Sequence, residues 1–257
     1  MRPTGILVAA LCLAASSSAL AQSTVLRFHA VVDGTGHVIP NGVIVVDSDR
    51  ITRVSEPSVA LPTGATVIDL TRYTAIPGLV DVHTHMTYYW DPASGTNPWR
   101  QPQRTPEQTV QLARANALAT LQTGVTSVRD LGASNYTDIA LRDSINSAGW
   151  VGPRMFVAGY GLQRARPPYR PNTDTTRTQR GRIFDISQIP AAVKQQVDAG
   201  ADYIKMYGST GTGADVSGTE TFNLDEMRAA VDAAQSVGKP IAIHSYGPAG
   251  GRARWSP

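Results

Sequence analysis

From Ile76 onward the sequence changes its period at nearly regular intervals, and that alternation limits the fold more than any other feature. Short apolar runs begin after Ile76, Val125, Arg154, Ala201 and Pro240. Between them lie amphipathic stretches: "EQTVQLARANALATLQTG", "NYTDIALRDSINSAGWVG", "SQIPAAVKQQVDAG" and "NLDEMRAAVDAAQSVG". Strands alternating with helices of crossover length predict an α/β protein built on a parallel sheet. Four of these runs finish in polar or ionisable residues, in "VDVHTH", "SVRDLG", "YIKMYG" and "IAIHSYG". In a parallel barrel that is the end of the strand where chemistry is done.

The segment before Ile76 has a different character. "VLRFHAVVDGTG", "GVIVVDSDRITRVS" and "ATVIDL" are short β-branched runs broken by turn residues, which predicts a small antiparallel sheet. Residues 1–21 differ again. A single charge at Arg2, the apolar run "ILVAALCLAA" and the small-residue end "SSSALA" predict a signal peptide cleaved after Ala21. The run is too short for a membrane span. The expected location is therefore secreted or periplasmic, with no membrane association after cleavage. Cleavage would remove Cys12, the only cysteine, leaving neither disulfide nor thiol chemistry. The 23 basic residues nearly balance the 20 acidic ones, too close to imply nucleic acid as a partner.

Within "AIPGLVDVHTHM", side chains alternate along the expected strand, so Asp81, His83 and His85 share a face. Two imidazoles at that spacing can bind one metal ion. They can equally be surface histidines on an exposed strand, and the spacing alone leaves both readings open. In "ADYIKMYG" the apolar Ile204 and Met206 point toward covering helices, which turns Tyr203, Lys205 and Tyr207 to the interior. A buried ammonium is costly unless paired or neutralised. A lysine pushed toward its neutral form can take up carbon dioxide as a carbamate, whose two oxygens can bridge two cations. The alternative is an edge-strand lysine reaching solvent. His244 in "IAIHSYG" offers a further imidazole from the next strand.

Taken in order, "AIPGLVDVHTHM", "GVTSVRDLG", "GADYIKMYG" and "KPIAIHSYG" resemble the metal-dependent amidohydrolase superfamily. The likeness is to its imidazolonepropionase-like and secreted dipeptidase-like members, and runs from Thr24 to about Gly250. The resemblance implies a (β/α)8 TIM-type barrel carrying a small β-sandwich. Residues 22–75 would supply the first part of the sandwich and 76–250 the barrel. It also implies that His83 and His85 bind one metal, that carboxylated Lys205 bridges to a second, and that His244 binds the second. The implied cofactor is Zn2+, binuclear, with other divalent metals open. The implied reaction is hydrolysis of an amide or cyclic amide C–N bond by a metal-activated hydroxide.

The sequence departs from that pattern at its end. The family expects a later metal-binding histidine and a catalytic aspartate, and neither a histidine nor an acidic residue follows His244. About five of eight barrel strands are accounted for, so an incomplete barrel is expected. Residues 251–257 read as a frameshifted tail or premature end, with a natural short protein as the other reading. A chain of this kind is expected to fold poorly alone and to be inactive. The alternative to a hydrolase is an inactive fragment with residual metal or partner binding, and a homo-oligomer is open.

Two long loops bear on substrate. "TYYWDPASGTNPWRQPQR" is aromatic, and "LQRARPPYRPNTDTTRTQRGR" holds Arg164, Arg166, Arg170, Arg177, Arg180 and Arg182. Guanidinium groups bind carboxylates in pairs of hydrogen bonds. A small carboxylate-bearing substrate, such as a dipeptide or N-acyl amino acid, is therefore expected, although a solvated loop explains any single arginine as well. Arg129 and Tyr246 end strands and are left without an assigned role.

Overall fold

The computed structural model of the chain describes residues 23–88, 104–165, 180–209 and 220–246. The expected signal peptide and the 251–257 tail lie outside them, as do most of the aromatic loop and Arg166, Arg170 and Arg177. The chain divides into two compact units, Met1–Pro77 and Gly78–Pro257. No helix among the described residues is long and apolar enough to cross a membrane.

The first unit is a five-stranded sheet of β1 (Thr24–Val32), β2 (Val38–Pro40), β3 (Val43–Asp47), β4 (Arg50–Ser55) and β5 (Thr66–Ala75). Inward positions alternate along the strands, so Val25, Val43 and Val45 form a small core with Leu61 and Ala65 packed on it. The pairs β1–β2, β1–β3 and β3–β4 are antiparallel. The expectation of a wholly antiparallel sheet fails at β5, which pairs with β1 in parallel, Thr24 opposite Thr66 through Val31 opposite Ala75. The reason is topological: β5 follows β4 in sequence but lies beside β1 on the far side of the sheet. Its run of ten residues needs a long partner, and β1 is the only other long strand there.

The second unit carries the alternation read from the sequence. Its elements are β6 (Leu79–Thr84), α1 (Pro106–Gln122), β7 (Val125–Asp130), α2 (Thr137–Ser147) and β8 (Arg154–Val157). There follow β9 (Gln163–Arg164), β10 (Arg182–Ile183), α3 (Ile189–Asp198), β11 (Ile204–Tyr207), α4 (Leu224–Ser236) and β12 (Ile241–His244). The helices begin where their sequences say. Thr105 caps α1 through a reciprocal pair with Gln108, and Asn223 caps α4 in the same way with Glu226.

The five principal strands run parallel, in the order β6-β7-β8 and then β11-β12. Single contacts join the two groups. Leu162 bridges to Met206 in parallel, and the Asp202 amide donates to the Val157 carbonyl at 2.8 Å. The outer core forms where helices cover the strands. Leu162, Ile204, Met206, Val193, Met227 and Ala230 pack together under α3 and α4. Val128, Met155, Val157, Ala113, Leu141 and Met86 do so under α1 and α2.

The run of β6 is apolar in composition, yet Leu79, Val80 and Val82 are 51%, 65% and 56% exposed. β6 is the outer strand of its sheet, paired only with β7, so its other edge and its faces have no cover among the described residues.

α2 also holds the loop after β8. Asp138 in its first turn accepts hydrogen bonds from the amides of Ile139, Ala158 and Gly159 at 2.9, 3.2 and 2.8 Å. Burial outweighs those bonds and raises its pKa from 3.8 to about 6. An acid whose folded pKa exceeds its unfolded value stabilises the fold fully below the unfolded pKa. That contribution is lost as pH rises through the folded pKa. Asp138 should therefore cost the fold on the order of 3 kcal/mol between pH ~4 and pH ~7. Titration of its carboxyl carbon by NMR should show a midpoint near 6. A midpoint in the ordinary carboxylate range would contradict this.

Candidate metal centre

Three strands bring four residues to one place near their carboxyl ends. His83 stands on β6, His85 just beyond it, Lys205 on β11 and His244 at the end of β12. The ring centroids of His83 and His85 are 5.5 Å apart, and those of His83 and His244 are 6.5 Å apart. The three imidazoles thus stand near one another, and Lys205 is close enough for its charge to act on each of them. Asp81, expected on the same face, is not part of the group: its carboxylate accepts from the amide of His83 at 2.9 Å.

His85 has left the strand, and its surroundings are the most specific in the group. Its ring stacks on Tyr88, centroids 4.4 Å apart and planes 8° from parallel. Its Nδ1 lies 3.1 Å from the Gly132 carbonyl. A carbonyl only accepts, so Nδ1 carries the proton and the Nε2 lone pair is free. Tyr246 packs edge-on against His244 at 4.4 Å, and its amide donates to the Ser209 hydroxyl at 2.7 Å.

Lys205 is only 2% exposed, with Ile204 and Met206 on the opposite, helix-covered face. It does not stand at an open edge, because β12 flanks it on one side and Leu162 on the other. Among the described residues no carboxylate forms an ion pair with it. Its ammonium lies 5.2 Å from the Tyr207 ring.

Electrostatics follow from this crowding of basic groups. Burial, reinforced by the Arg129 charge, lowers the Lys205 pKa from 10.5 to about 8. Burial lowers His85 to about 4, and the charges of His83, Lys205 and His244 act in the same direction. His83 and His244 are lowered too, by desolvation first and by Lys205 second. At neutral pH the three imidazoles are neutral and their lone pairs available. Three neutral imidazoles beside an amine that loses its proton near pH 8 are the donor chemistry of a borderline divalent metal. In that respect the residues fit. Their spacing is open, however: among the described residues no group of three or more His, Cys, Asp or Glu side chains closes tightly enough to hold an ion.

Two residues at this centre were not singled out from the sequence. Asp130, fully buried at the end of β7, accepts from the Met86 amide at 2.6 Å, and Gly132 supplies the carbonyl that meets His85. The polar end of "SVRDLG" was the available signal. Arg129 is partly engaged, since its Nε donates to the Val82 carbonyl at 2.8 Å and its guanidinium lies 5.7 Å from the Tyr203 ring. Arg164, expected among substrate-facing arginines, forms an ion pair with Glu226.

The sequence of residues 74–254 matches the model of the amidohydrolase family. No curated protein matches the chain. Among solved structures, a Xaa-Pro dipeptidase with methionine bound in its active site is 28% identical, with a TM-score of 0.77 over 90% of this chain and 59% of that one. A prolidase solved with N-methylphosphonate-L-proline is 26% identical, with a TM-score of 0.71 over 87% of this chain and 56% of that one. The ochratoxinase of A. niger, 19% identical, shares the fold with a TM-score of 0.71 over 90% of this chain and 57% of that one. The chain therefore spans less than two thirds of the length of each.

Proposed function

Since this chain belongs to the amidohydrolase family, we propose that it serves metal-dependent hydrolysis of amide C–N bonds in small molecules. The observation that carries the reading is the meeting of three neutral imidazoles near buried Lys205 toward the carboxyl ends of parallel strands. His83 and His85 would hold one divalent cation, zinc by preference. Lys205 as its carbamate and His244 would hold a second. When bound, such a metal supplies Lewis acidity toward a carbonyl and lowers the pKa of water toward neutrality.

The chain's own residues have definable parts in this. The Gly132 carbonyl keeps the proton of His85 on Nδ1 and leaves Nε2 as donor. Tyr88 covers one face of that ring and shields it from water. Lys205, with its pKa near 8, is roughly one tenth neutral at pH 7 and far more so above pH ~8, and only the neutral amine adds carbon dioxide. The carbamic acid that results would give up its proton to solvent and, as the carbamate, offer two oxygens as metal ligands. The group that moves the proton to the leaving nitrogen is not assigned.

The favoured substrates are dipeptides, Xaa-Pro dipeptides among them, and N-acyl amino acids. The activity of the Xaa-Pro dipeptidase relative supports this, as do the arginines of the segment after β8. A secreted or periplasmic location is part of the proposal. Exposure of the apolar β6 residues favours a second reading, an inactive metal binder, because a ligand strand open to water excludes it poorly from the reaction. The test is cobalt(II) or zinc uptake by the purified chain, followed by amino acid release from Xaa-Pro dipeptides and N-acyl amino acids. Uptake with turnover supports the hydrolase, uptake alone supports the binder, and no uptake defeats both.

A further inference from the structure

We propose that Asp130 is a positioning residue for His85, fixing the turn after β6 so that the imidazole presents Nε2 to a divalent metal. This rests on the metal reading above and extends it to a residue that binds no metal.

Two adjacent residues, His85 and Met86, are held by two points of one short segment. The Asp130 carboxylate accepts from the Met86 amide at 2.6 Å, and two residues on the Gly132 carbonyl accepts a hydrogen bond from His85 Nδ1 at 3.1 Å. Between them the Leu131 amide donates to the Thr84 carbonyl at 2.9 Å, continuing the β6–β7 pairing past the strand ends. Gly132 has φ +114°, a region that side chains rarely adopt. That conformation turns its carbonyl toward His85, and a Cβ there would lie 3.4 Å from the Gly159 carbonyl oxygen.

The segment is anchored from behind without the Asp130 side chain. The Tyr203 hydroxyl donates to the Asp130 carbonyl, and the Ala133 amide donates to the Gly159 carbonyl at 2.9 Å. What the carboxylate adds is its hold on Met86. The Thr84 side chain and the Gly132 amide also act on this carboxyl as hydrogen-bond donors, so the groups it engages all lie where β6 and β7 end. Burying an acid there costs stability that an apolar side chain would not. The carboxylate is therefore placed for the ligand turn rather than for the core.

The experiment uses the full chain labelled with 15N-histidine, first metal-free and then titrated with cobalt(II). The His85 signal is assigned with His85→Gln, at a pH above the titration range of the ring. The wild-type ring should be protonated at Nδ1. Asp130→Asn keeps an oxygen able to accept from Met86 and should keep that tautomer, with cobalt affinity within about threefold of wild type. Asp130→Leu keeps the branching at Cγ without an acceptor; it should give mixed tautomers and bind cobalt about 10–100-fold more weakly. Wild-type tautomer and affinity in the leucine variant would overturn the proposal, as would equal losses in both variants. If the leucine variant does not fold, a wild-type His85 protonated at Nε2 still overturns it. Wild-type protein that takes up no cobalt defeats the metal reading alone, and the tautomer comparison still decides the role of Asp130.

Discussion

Replacing His85 by alanine should weaken cobalt or zinc binding by at least about 100-fold, beyond what loss of a supporting partner costs. His83 and His85 are the ring pair at 5.5 Å. Of the two, His85 is the better prepared donor, with its proton fixed by Gly132 and one face stacked on Tyr88. A ring held in one tautomer and orientation loses little freedom on binding, so its removal takes away more than one average ligand. His83, more exposed and without a hydrogen-bonded ring, should matter somewhat less. The measurement is metal content by elemental analysis after dialysis against a competing chelator, with circular dichroism confirming an unchanged fold. Unchanged metal content in both alanine variants would return the pair to surface histidines.

The contrast between these two histidines shows what a sequence can carry. The alternation of periods and the capping pairs Thr105–Gln108 and Asn223–Glu226 are local, so the helices and the five parallel strands could be read directly. Lys205 was legible for the same reason, because strand alternation alone opposes it to Ile204 and Met206. The tautomer of His85 is set by a carbonyl 47 residues away, and the turn behind it by a carboxylate 44 residues from Met86. No spacing rule reaches across that distance. The pairing of Arg164 with Glu226 is equally non-local, as is the parallel placement of β5 beside β1. Exposure of β6 was hidden by its composition: an apolar run states what a strand is suited to pack against, not whether a partner lies there.

Lys205→Ala and Lys205→Arg should each remove one of two bound metal equivalents and reduce any turnover by at least 10²-fold, a loss comparable to that of one acid–base group. The reasoning begins with burial. Lys205 is 2% exposed and has no carboxylate partner among the described residues, so its charged form is destabilised. The pKa of about 8 that results leaves neutral amine available near neutrality. Arginine keeps the length and charge but has no amine that can add carbon dioxide, so it separates a carbamate from a simple cation. The sign of the pH dependence follows. Neutral amine increases as pH rises through about 8, so carbamate formed from 13C-bicarbonate should increase from pH ~7 to pH ~9 and give an NMR signal absent from both variants. Small carboxylic acids added to Lys205→Ala should restore part of the second metal equivalent by offering two oxygens in the vacated space. A Lys205→Arg protein with full metal content would show that the charge, not a carbamate, is what the site requires.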